Sequence, residues 1–224
     1  MPSGIDGTRR YFDRIPKQWH ARYAGASRLR SILNRFWRSA LYERHRLTFE
    51  HCGPIGGATV LDIGCGTGEY SLEFAARGAL QVVGVDIAPA MVEFSERLTH
   101  ERGLSQRCRF ICADFLDYQF SEQFDIVLAM GLFDYVADPR PVLKAIARLT
   151  RGRFLASYPC NEGIWAFQRK VRYRWMKRVP VFDYTRNRLE TLYKESGFES
   201  LQIVEMKRGL LVVAWNEPTS TSHQ

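Results

Sequence analysis

One stretch decides the fold of this chain: TVLDIGCGTGEY, residues 59–70, in which apolar and β-branched residues lead to an acid and then to three alternating glycines. This order predicts a buried strand, a tight turn and, from Glu69 onward, a helix. Glycine adopts positive φ without strain, and it has no Cβ to hold a ligand away from the main chain. The unpaired N–H groups of the first helical turn point into the same space. The turn is therefore predicted to bring main chain against a small molecule.

The spacing of these glycines and the charge beside them indicate the kind of molecule. A dinucleotide-binding turn spaces its glycines G-x-G-x-x-G and places a pyrophosphate at the helix N-terminus. Here the spacing is G-x-G-x-G, Glu69 occupies the third glycine position, and Asp62 precedes the turn. Such an acidic turn favours a ligand with positive charge and no phosphate. S-adenosylmethionine, which carries a sulfonium and an ammonium, is such a ligand. For an isolated turn of this kind, a purely structural strand–helix connection is the alternative.

The turn resembles the first motif of the class I S-adenosylmethionine-dependent methyltransferases, D/E-x-G-x-G-x-G, at Asp62, Gly64, Gly66 and Gly68. The resemblance covers about residues 59–215. It implies an α/β fold with a Rossmann-like, doubly wound sheet of seven strands, mostly parallel with the last strand antiparallel. It also implies S-adenosyl-L-methionine as cofactor and S-adenosyl-L-homocysteine as product. GLFDY at 131–135 and SYP at 157–159, followed by a basic segment, are similar to a small-molecule branch that includes the magnesium-protoporphyrin O-methyltransferases.

The segments after the turn predict further parallel strands, because short apolar runs alternate with helical patterns. The second such run ends at Asp86, which lies 24 residues beyond Asp62. In a doubly wound sheet the second strand ends beside the first turn, so the Asp86 carboxylate can accept both hydroxyls of a ribose. The alternative role of Asp86 is to cap the helix that begins near Pro89.

The family resemblance implies the remaining cofactor contacts. Asp114, at the end of the third strand, is predicted to accept the adenine amino group. Phe115 is predicted to contact the adenine, with core packing as its alternative role, and Ile87 is predicted to border it. The predicted cofactor-binding residues are Asp62, Gly64, Cys65, Gly66, Gly68, Asp86, Ile87, Met91, Asp114, Phe115 and Met130.

The methyl acceptor is expected beyond the fourth strand, since ligands of open α/β sheets bind at the carboxyl ends of the strands. Asp134 and Tyr135 follow that strand and are the predicted catalytic residues, although Asp134 could instead cap a turn. His20 is a third candidate, as a base for an alcohol or amine acceptor. The predicted substrate and lid residues are Tyr11, Trp19, Tyr23, Tyr158, Arg172 and Trp175.

Three regions are predicted: an N-terminal arm and helical cap at 1–55, a cofactor-binding domain at 56–216, and a disordered tail at 217–224. Residues 1–16 are predicted to be a loose arm. An amphipathic helix is expected from Trp19 to about Phe49. Its arginines are predicted to lie in solvent. Alternatively, this helical cap closes over the cofactor. A basic insertion at 160–183 is predicted to be a lid. Its alternatives are a solvated helix or a surface for nucleic acid or an anionic membrane.

Composition and charge restrict the class of protein. The chain has 224 residues, 46% of them hydrophobic, and a net charge of +8. The charge is uneven, because residues 1–50 carry +7, residues 51–150 carry −5 and residues 151–224 carry +6. An acidic centre between basic ends suits a cationic cofactor and an anionic acceptor. Five scattered cysteines predict free thiols in a reducing cytoplasm, and no cluster predicts a metal site.

The sequence therefore predicts a cytoplasmic methyltransferase that acts on a small molecule, by O-methylation of an acidic or lipid-like acceptor, with contact to a membrane surface as a further expectation. The place after the fourth strand lacks the D/N-P-P-Y/F motif of adenine and glutamine N-methylases, which argues against nucleic acid as acceptor. Two alternatives are kept: an RNA methyltransferase that uses the two basic segments, and a non-catalytic cofactor-binding partner subunit. The oligomeric state is not predicted.

Overall fold

The computed structural model describes residues 4–20, 31–159 and 182–216. Three helices come before the first strand, and strands and helices alternate after it. The elements are α1 Gly4–Phe12, α2 Pro16–His20, α3 Ser31–His51, β1 Thr59–Ile63, α4 Glu69–Ala76, β2 Gln81–Asp86, α5 Pro89–Glu101, β3 Cys108–Cys112, β4 Phe124–Met130, a 3₁₀ turn Phe133–Tyr135, α6 Pro139–Leu149, β5 Thr150–Pro159, α7 Arg186–Glu195, β6 Ser200–Met206 and β7 Gly209–Trp215.

The seven strands form one sheet in the order β3-β2-β1-β4-β5-β7-β6. Strands β1 to β5 are parallel, and β7 lies antiparallel between β5 and β6. The strand order reverses between β1 and β4, and in such sheets the crevice at the reversal is where ligands bind. The predicted fold class, including the antiparallel last strand, is confirmed.

Apolar side chains cover both faces of the sheet, as expected for parallel strands that are buried on both sides. Along β1, Val60 packs on the face covered by α4 and the end of α3, whereas Leu61 and Ile63 pack on the face covered by α6 and α7. Because side chains alternate along a strand, Asp62 falls on the α3–α4 face. Met130 at the end of β4 packs on that face as well. The first face therefore carries polar and sulfur-containing groups at the carboxyl ends of the strands.

Gly152 marks the one place where β4 and β5 lose their regular register, between Phe124 and Ile126. A Cβ at residue 152 would overlap the main-chain carbonyl oxygen of Asp125. We expect Gly152→Ala to lower the free energy of unfolding by about 2 kcal/mol, because a strand and not a flexible side chain must move. Thermal denaturation should show a melting temperature lower by roughly 4–8 °C. Gly56→Ala is the control, since a Cβ there meets nothing within 4 Å; equal melting temperatures for the two variants would contradict the clash.

The N-terminal region differs from its prediction. The loose arm predicted for residues 1–16 is wrong for residues 4–12, which form helix α1. The aromatic ring of Phe12 packs edge-on against Trp19 and Tyr135, at 5.3 Å between ring centroids in both pairs. Contact with the domain therefore orders a segment whose own sequence gives only a weak helical signal.

The helix predicted from Trp19 to about Phe49 is helical wherever the structure describes it. Helix α2 ends at His20 and α3 begins at Ser31, while residues 21–30 lie outside the described part of the chain. Most of the predicted lid, residues 160–181, and the predicted tail, residues 217–224, lie outside it too. Within residues 4–20, 31–159 and 182–216, no helix is long and apolar enough to cross a membrane.

Candidate cofactor-binding site

The glycine turn between β1 and α4 has the backbone conformation that its sequence requires. Gly64, Gly66 and Gly68 have φ values of 69°, 55° and 76°, a region that side chains with a Cβ rarely adopt. The N–H groups of Gly64 and Cys65 both donate to the carbonyl oxygen of Val85, at 2.8 and 3.1 Å. These bonds fix the turn to the end of β2, so the tips of the two strands lie side by side.

Asp62 is buried beneath this turn, with 2% of its surface exposed. The Ser71 hydroxyl on α4 donates to its carboxylate at 2.7 Å. Burial raises the pKa of Asp62 to about 6, and the negative charge of Asp86 contributes to that rise. In the ligand-free protein the Asp62 carboxylate therefore lacks a full compensating charge, which is the condition that favours binding of a cation.

Asp86 is held between the turn and the start of α5. Its two carboxylate oxygens accept N–H groups of Gly66 and Ala88, each at 2.9 Å. Burial raises the pKa of Asp86. Ala88, and not Asp86, occupies the N-cap position of α5, so the alternative role predicted for Asp86 is wrong in that form. Each oxygen keeps a second acceptor position, because a carboxylate oxygen accepts two hydrogen bonds.

The other predicted cofactor residues differ in exposure. Met91 is fully buried and Cys65 is buried, whereas Ile87 is partly exposed. The carboxylate of Asp114 accepts the N–H of Leu116 at 3.0 Å. Phe115 packs against the core under α6, which is the alternative role predicted for it.

Met130 ends β4 on the same face as Asp62. The Thr48 hydroxyl donates to its sulfur atom at 3.7 Å, so α3 covers the end of this strand.

Arg44 on α3 belongs to the same group, and the sequence analysis missed it. Its Nε donates to the Tyr70 hydroxyl at 3.1 Å, and a terminal nitrogen donates to the Ser157 hydroxyl at 3.4 Å. That nitrogen lies 3.3 Å from the position a Cβ would occupy at Gly131, directly after β4. Its positive charge also acts to lower the pKa of Asp62. A guanidinium thus lies at the carboxyl ends of the strands, close enough to the buried Asp62 carboxylate to act on its charge.

The expectation that the arginines of the cap helix lie in solvent is therefore wrong for Arg44. A signal for its position was present, because Arg44 precedes the buried Leu47 and Thr48 by three and four residues. Side chains at this spacing share one face of a helix. Arg46 is two residues further on, exposed, and paired with Glu50.

The predicted acceptor-side residues follow β4. The main-chain carbonyl of Asp134 accepts the N–H of Phe182 at 3.0 Å, which joins this loop to the chain before α7. Tyr135 lies partly exposed, with its ring against Phe12. Burial raises the pKa of Tyr184 to about 12, and the nearby Asp134 carboxylate acts in the same direction. Asp134 and Tyr135 therefore lie at the carboxyl edge of the sheet, where their side chains could reach a ligand bound at the end of β4.

His20 and Trp19 lie at the glycine turn and not beside Asp134. The Nδ1 atom of His20 is hydrogen-bonded to the Glu69 carboxylate, and its ring lies 5.2 Å from that of Phe94. The indole nitrogen of Trp19 is 3.5 Å from the position a Cβ would take at Gly66. Helix α2 therefore lies across the turn.

Tyr158 lies in the core. Its hydroxyl is 3.0 Å from the Tyr193 hydroxyl, and its ring stacks on Phe133. Burial raises the pKa of Tyr158 well above its usual range. The ring of Tyr11 packs on Phe12. Three other predicted acceptor or lid residues lie outside the described part of the chain: Tyr23, Arg172 and Trp175.

In the part of the chain that the structure describes, no group of three or more His, Cys, Asp or Glu side chains could hold a metal ion.

Comparison with known proteins agrees with the fold and the turn. Residues 60–152 match the family described as Methyltransferase domain. This range of the chain carries a methyltransferase domain. The matched range runs from β1 to the start of β5, so it contains the glycine turn, Asp62, Asp86 and the loop after β4. The match agrees with the predicted methyltransferase family.

Curated relatives match the same domain over part of their length. A ubiquinone biosynthesis O-methyltransferase from Pseudomonas fluorescens (strain SBW25) is 36% identical over 97 residues, which are 43% of this chain and 41% of that protein. The chain thus spans well under half the length of the curated relatives it matches.

Solved structures share the fold over most of the chain. A magnesium protoporphyrin IX methyltransferase from Synechocystis PCC 6803, solved with bound SAM, has a TM-score of 0.75 at 17% identity and covers 96% of this chain and 98% of that chain. A geranyl diphosphate C-methyltransferase from Streptomyces coelicolor A3(2) has a TM-score of 0.67 at 16% identity, over 78% of each chain. At these identities the likeness shows the fold alone.

Proposed function

We propose that this protein transfers the methyl group of S-adenosyl-L-methionine to an oxygen atom of a small acidic or lipid-like molecule. The observation that carries the proposal is the pair of carboxylates, buried Asp62 and partly buried Asp86, anchored at neighbouring strand tips beside a glycine turn. The match to the methyltransferase domain and the O-methyltransferase relatives support it.

The residues present fit S-adenosyl-L-methionine, which carries an adenosine, a sulfonium, an ammonium and a carboxylate. Asp86 keeps an acceptor position on each oxygen and would bind the two ribose hydroxyls. Asp62, buried without a full counter-charge, would bind the ammonium, and Arg44 would bind the carboxylate. Asp114 would accept the adenine amino group. When bound, the sulfonium supplies an activated methyl group with a good leaving group.

The protein then has mainly to place the acceptor in line with the methyl group and to exclude water. Such positioning can contribute about 7–11 kcal/mol to the lowering of the barrier. A carboxylate acceptor needs no base, whereas an alcohol would need one. Asp134 and Tyr135 are our candidates for that base because they follow β4 at the carboxyl edge. His20 is less suited, because the Glu69 carboxylate engages it at the glycine turn.

Several observations support a small-molecule acceptor. Two of the similar proteins are named for ubiquinone biosynthesis and for magnesium protoporphyrin IX, and a third for carbon methylation of geranyl diphosphate. We favour oxygen because the sequence relatives at 36% identity are O-methyltransferases. Nothing in the matched family or these relatives supports the RNA alternative. Cytoplasmic location, membrane contact and the lid role of residues 160–183 stay predictions.

The test is a methyl-transfer screen with the full-length protein. Radiolabelled S-adenosyl-L-methionine is incubated with fractionated metabolite extracts and with bulk RNA, and labelled products are identified by mass spectrometry. We expect label in a low-mass organic acid or lipid-like product, attached at oxygen. Label in RNA would overturn the small-molecule assignment. Cofactor binding without transfer to any fraction would favour the non-catalytic partner subunit.

The raised pKa of Asp62 predicts pH-dependent cofactor affinity. A cation prefers the ionised carboxylate, so protonation of Asp62 below about pH 6 competes with binding. We expect the dissociation constant of S-adenosyl-L-methionine to be about tenfold higher at pH 5 than at pH 7.5. Calorimetry in two buffers of different ionisation enthalpy should show proton release near pH 6.

The ligand-free protein should respond to pH in the opposite sense. Because folding raises the pKa of Asp62 from 3.8 to about 6, its contribution to stability is fully present below pH 3.8 and is lost as the pH rises through about 6. Asp86, whose pKa burial also raises, acts in the same direction. Asp62→Asn is the control, since it should flatten both profiles. An unchanged pH dependence of affinity in that variant would contradict the role of Asp62.

A further inference from the structure

Helices α1 and α2 lie over the nucleoside side of the site. Asp13, between them, accepts the N–H of Ala90 at the start of α5 at 3.3 Å. Its negative charge adds to the effect of burial in raising the pKa of Asp86, so it lies near the proposed ribose position. Trp19 faces Gly66, and Phe12 contacts Tyr135. A nucleoside held by Asp86 would be enclosed beneath these two helices.

Helix α2 is attached to the domain through side chains that are only partly buried. None of the five residues of α2 is buried. Segments with few buried apolar contacts open at a small fraction of the free energy of global unfolding. Its attachments are the indole of Trp19 at Gly66, the ring of His20 on Phe94, and the polar contact between His20 and Glu69. The two side chains are 20% and 13% exposed, so this contact is shielded from water far more than a surface ion pair.

Through Glu69 this contact joins α2 to the glycine turn, because Glu69 is the first residue of α4 and directly follows Gly68 of the turn. We propose that α1 and α2 form a gate over the cofactor site, and that the His20–Glu69 contact is the latch that sets how fast the cofactor enters and its product leaves. His20 is then a positioning residue and not a base. The inference rests on the proposed function, since it concerns entry of the cofactor into the same site and release of its product.

A gate that is closed in the protein without ligand should affect the rates of cofactor association and dissociation more than the equilibrium affinity. If the gate closes over both the empty and the occupied site, weakening the latch speeds entry and exit alike and leaves the equilibrium nearly unchanged. Loss of a direct contact to the cofactor would instead raise the dissociation rate alone. The ratio of the two rate constants therefore separates a latch from a ligand contact.

The experiment measures association and dissociation of S-adenosyl-L-homocysteine by stopped flow with the full chain. In His20→Ala we expect both rate constants to rise by at least about tenfold, the lower end of the effect of losing one hydrogen bond to a charged group, with the dissociation constant changed by less than about twofold. His20→Gln, which keeps a donor for Glu69, should change the rates by less than about twofold. His100→Ala, an exposed histidine at the end of α5, is the matched control.

Glu69→Ala, which removes the acceptor, should reproduce the His20→Ala rates, and the double variant should be no faster than either single one. Hydrogen exchange of the wild-type protein should show α1 and α2 exchanging faster than α4, without any substitution. Unchanged rates in His20→Ala, or a rise in dissociation alone, would overturn the latch. Failure of the wild-type protein to bind S-adenosyl-L-homocysteine would instead overturn the proposed function.

Discussion

Replacing Asp86 by alanine is expected to weaken the binding of S-adenosyl-L-methionine by about 100-fold. The substitution removes a carboxylate that we assign to two ribose hydroxyls. At about 1.5 kcal/mol each, the lower end for hydrogen bonds to a charged group, the two correspond to a factor on the order of 100. The change should appear in calorimetry at pH 7.5 as a higher dissociation constant. 5′-Methylthioadenosine, which keeps the ribose and lacks the amino acid, should lose affinity to a similar extent.

Two controls separate recognition from folding in this experiment. Asp86 also accepts the N–H groups of Gly66 and Ala88, so its loss could disturb the turn itself. Asp86→Asn keeps an acceptor at this position, and melting temperatures of both variants show whether the fold is intact. Asp117→Ala removes an exposed carboxylate and should leave affinity unchanged. A folded Asp86→Ala protein with wild-type affinity would show that Asp86 is structural only.

Replacing Arg44 by methionine is expected to weaken S-adenosyl-L-methionine about 30-fold, the second largest effect. Methionine keeps much of the apolar stem, so the change removes chiefly the guanidinium that faces Ser157 and Gly131. A charged hydrogen-bond pair with a carboxylate is worth about 2 kcal/mol. Binding of 5′-methylthioadenosine should stay within about twofold of the wild type, because that ligand has no carboxylate.

Arg46→Met is the matched control for this substitution. It removes an arginine from the same helix, but its partner is the exposed Glu50. We expect no change in affinity for either ligand. If Arg44→Met weakened 5′-methylthioadenosine as strongly as S-adenosyl-L-methionine, Arg44 would act on the whole site, through α3, and not on the amino-acid part of the cofactor.

Local sequence patterns predicted the parts of the site that local geometry determines. A strand that ends in an acid, followed by alternating glycines, leaves the backbone few choices, and the left-handed turn at Gly64, Gly66 and Gly68 is the result. Asp86 could be placed because parallel strands all end at the same edge of the sheet. The seven-stranded, mostly parallel sheet with its antiparallel last strand came from the family resemblance and is confirmed.

Contacts between distant segments could not be predicted in the same way. Arg44 reaches the site because α3 packs across the ends of β4 and β5, and the spacing within α3 alone does not show which neighbours it meets. Helix α1 is ordered by the contact of Phe12 with Tyr135, more than 100 residues away. For His20, the sequence offered a titratable side chain, but only the fold shows Glu69 beside it.

The most direct test of the account is a crystal structure of the protein with S-adenosyl-L-homocysteine. We expect the ribose hydroxyls of the ligand within hydrogen-bonding distance of the Asp86 carboxylate. Its amino group should lie next to Asp62, and its carboxylate should face Arg44 over the glycine turn. A ligand bound at another edge of the sheet, with Asp86 still engaged only by the Gly66 and Ala88 N–H groups, would contradict it.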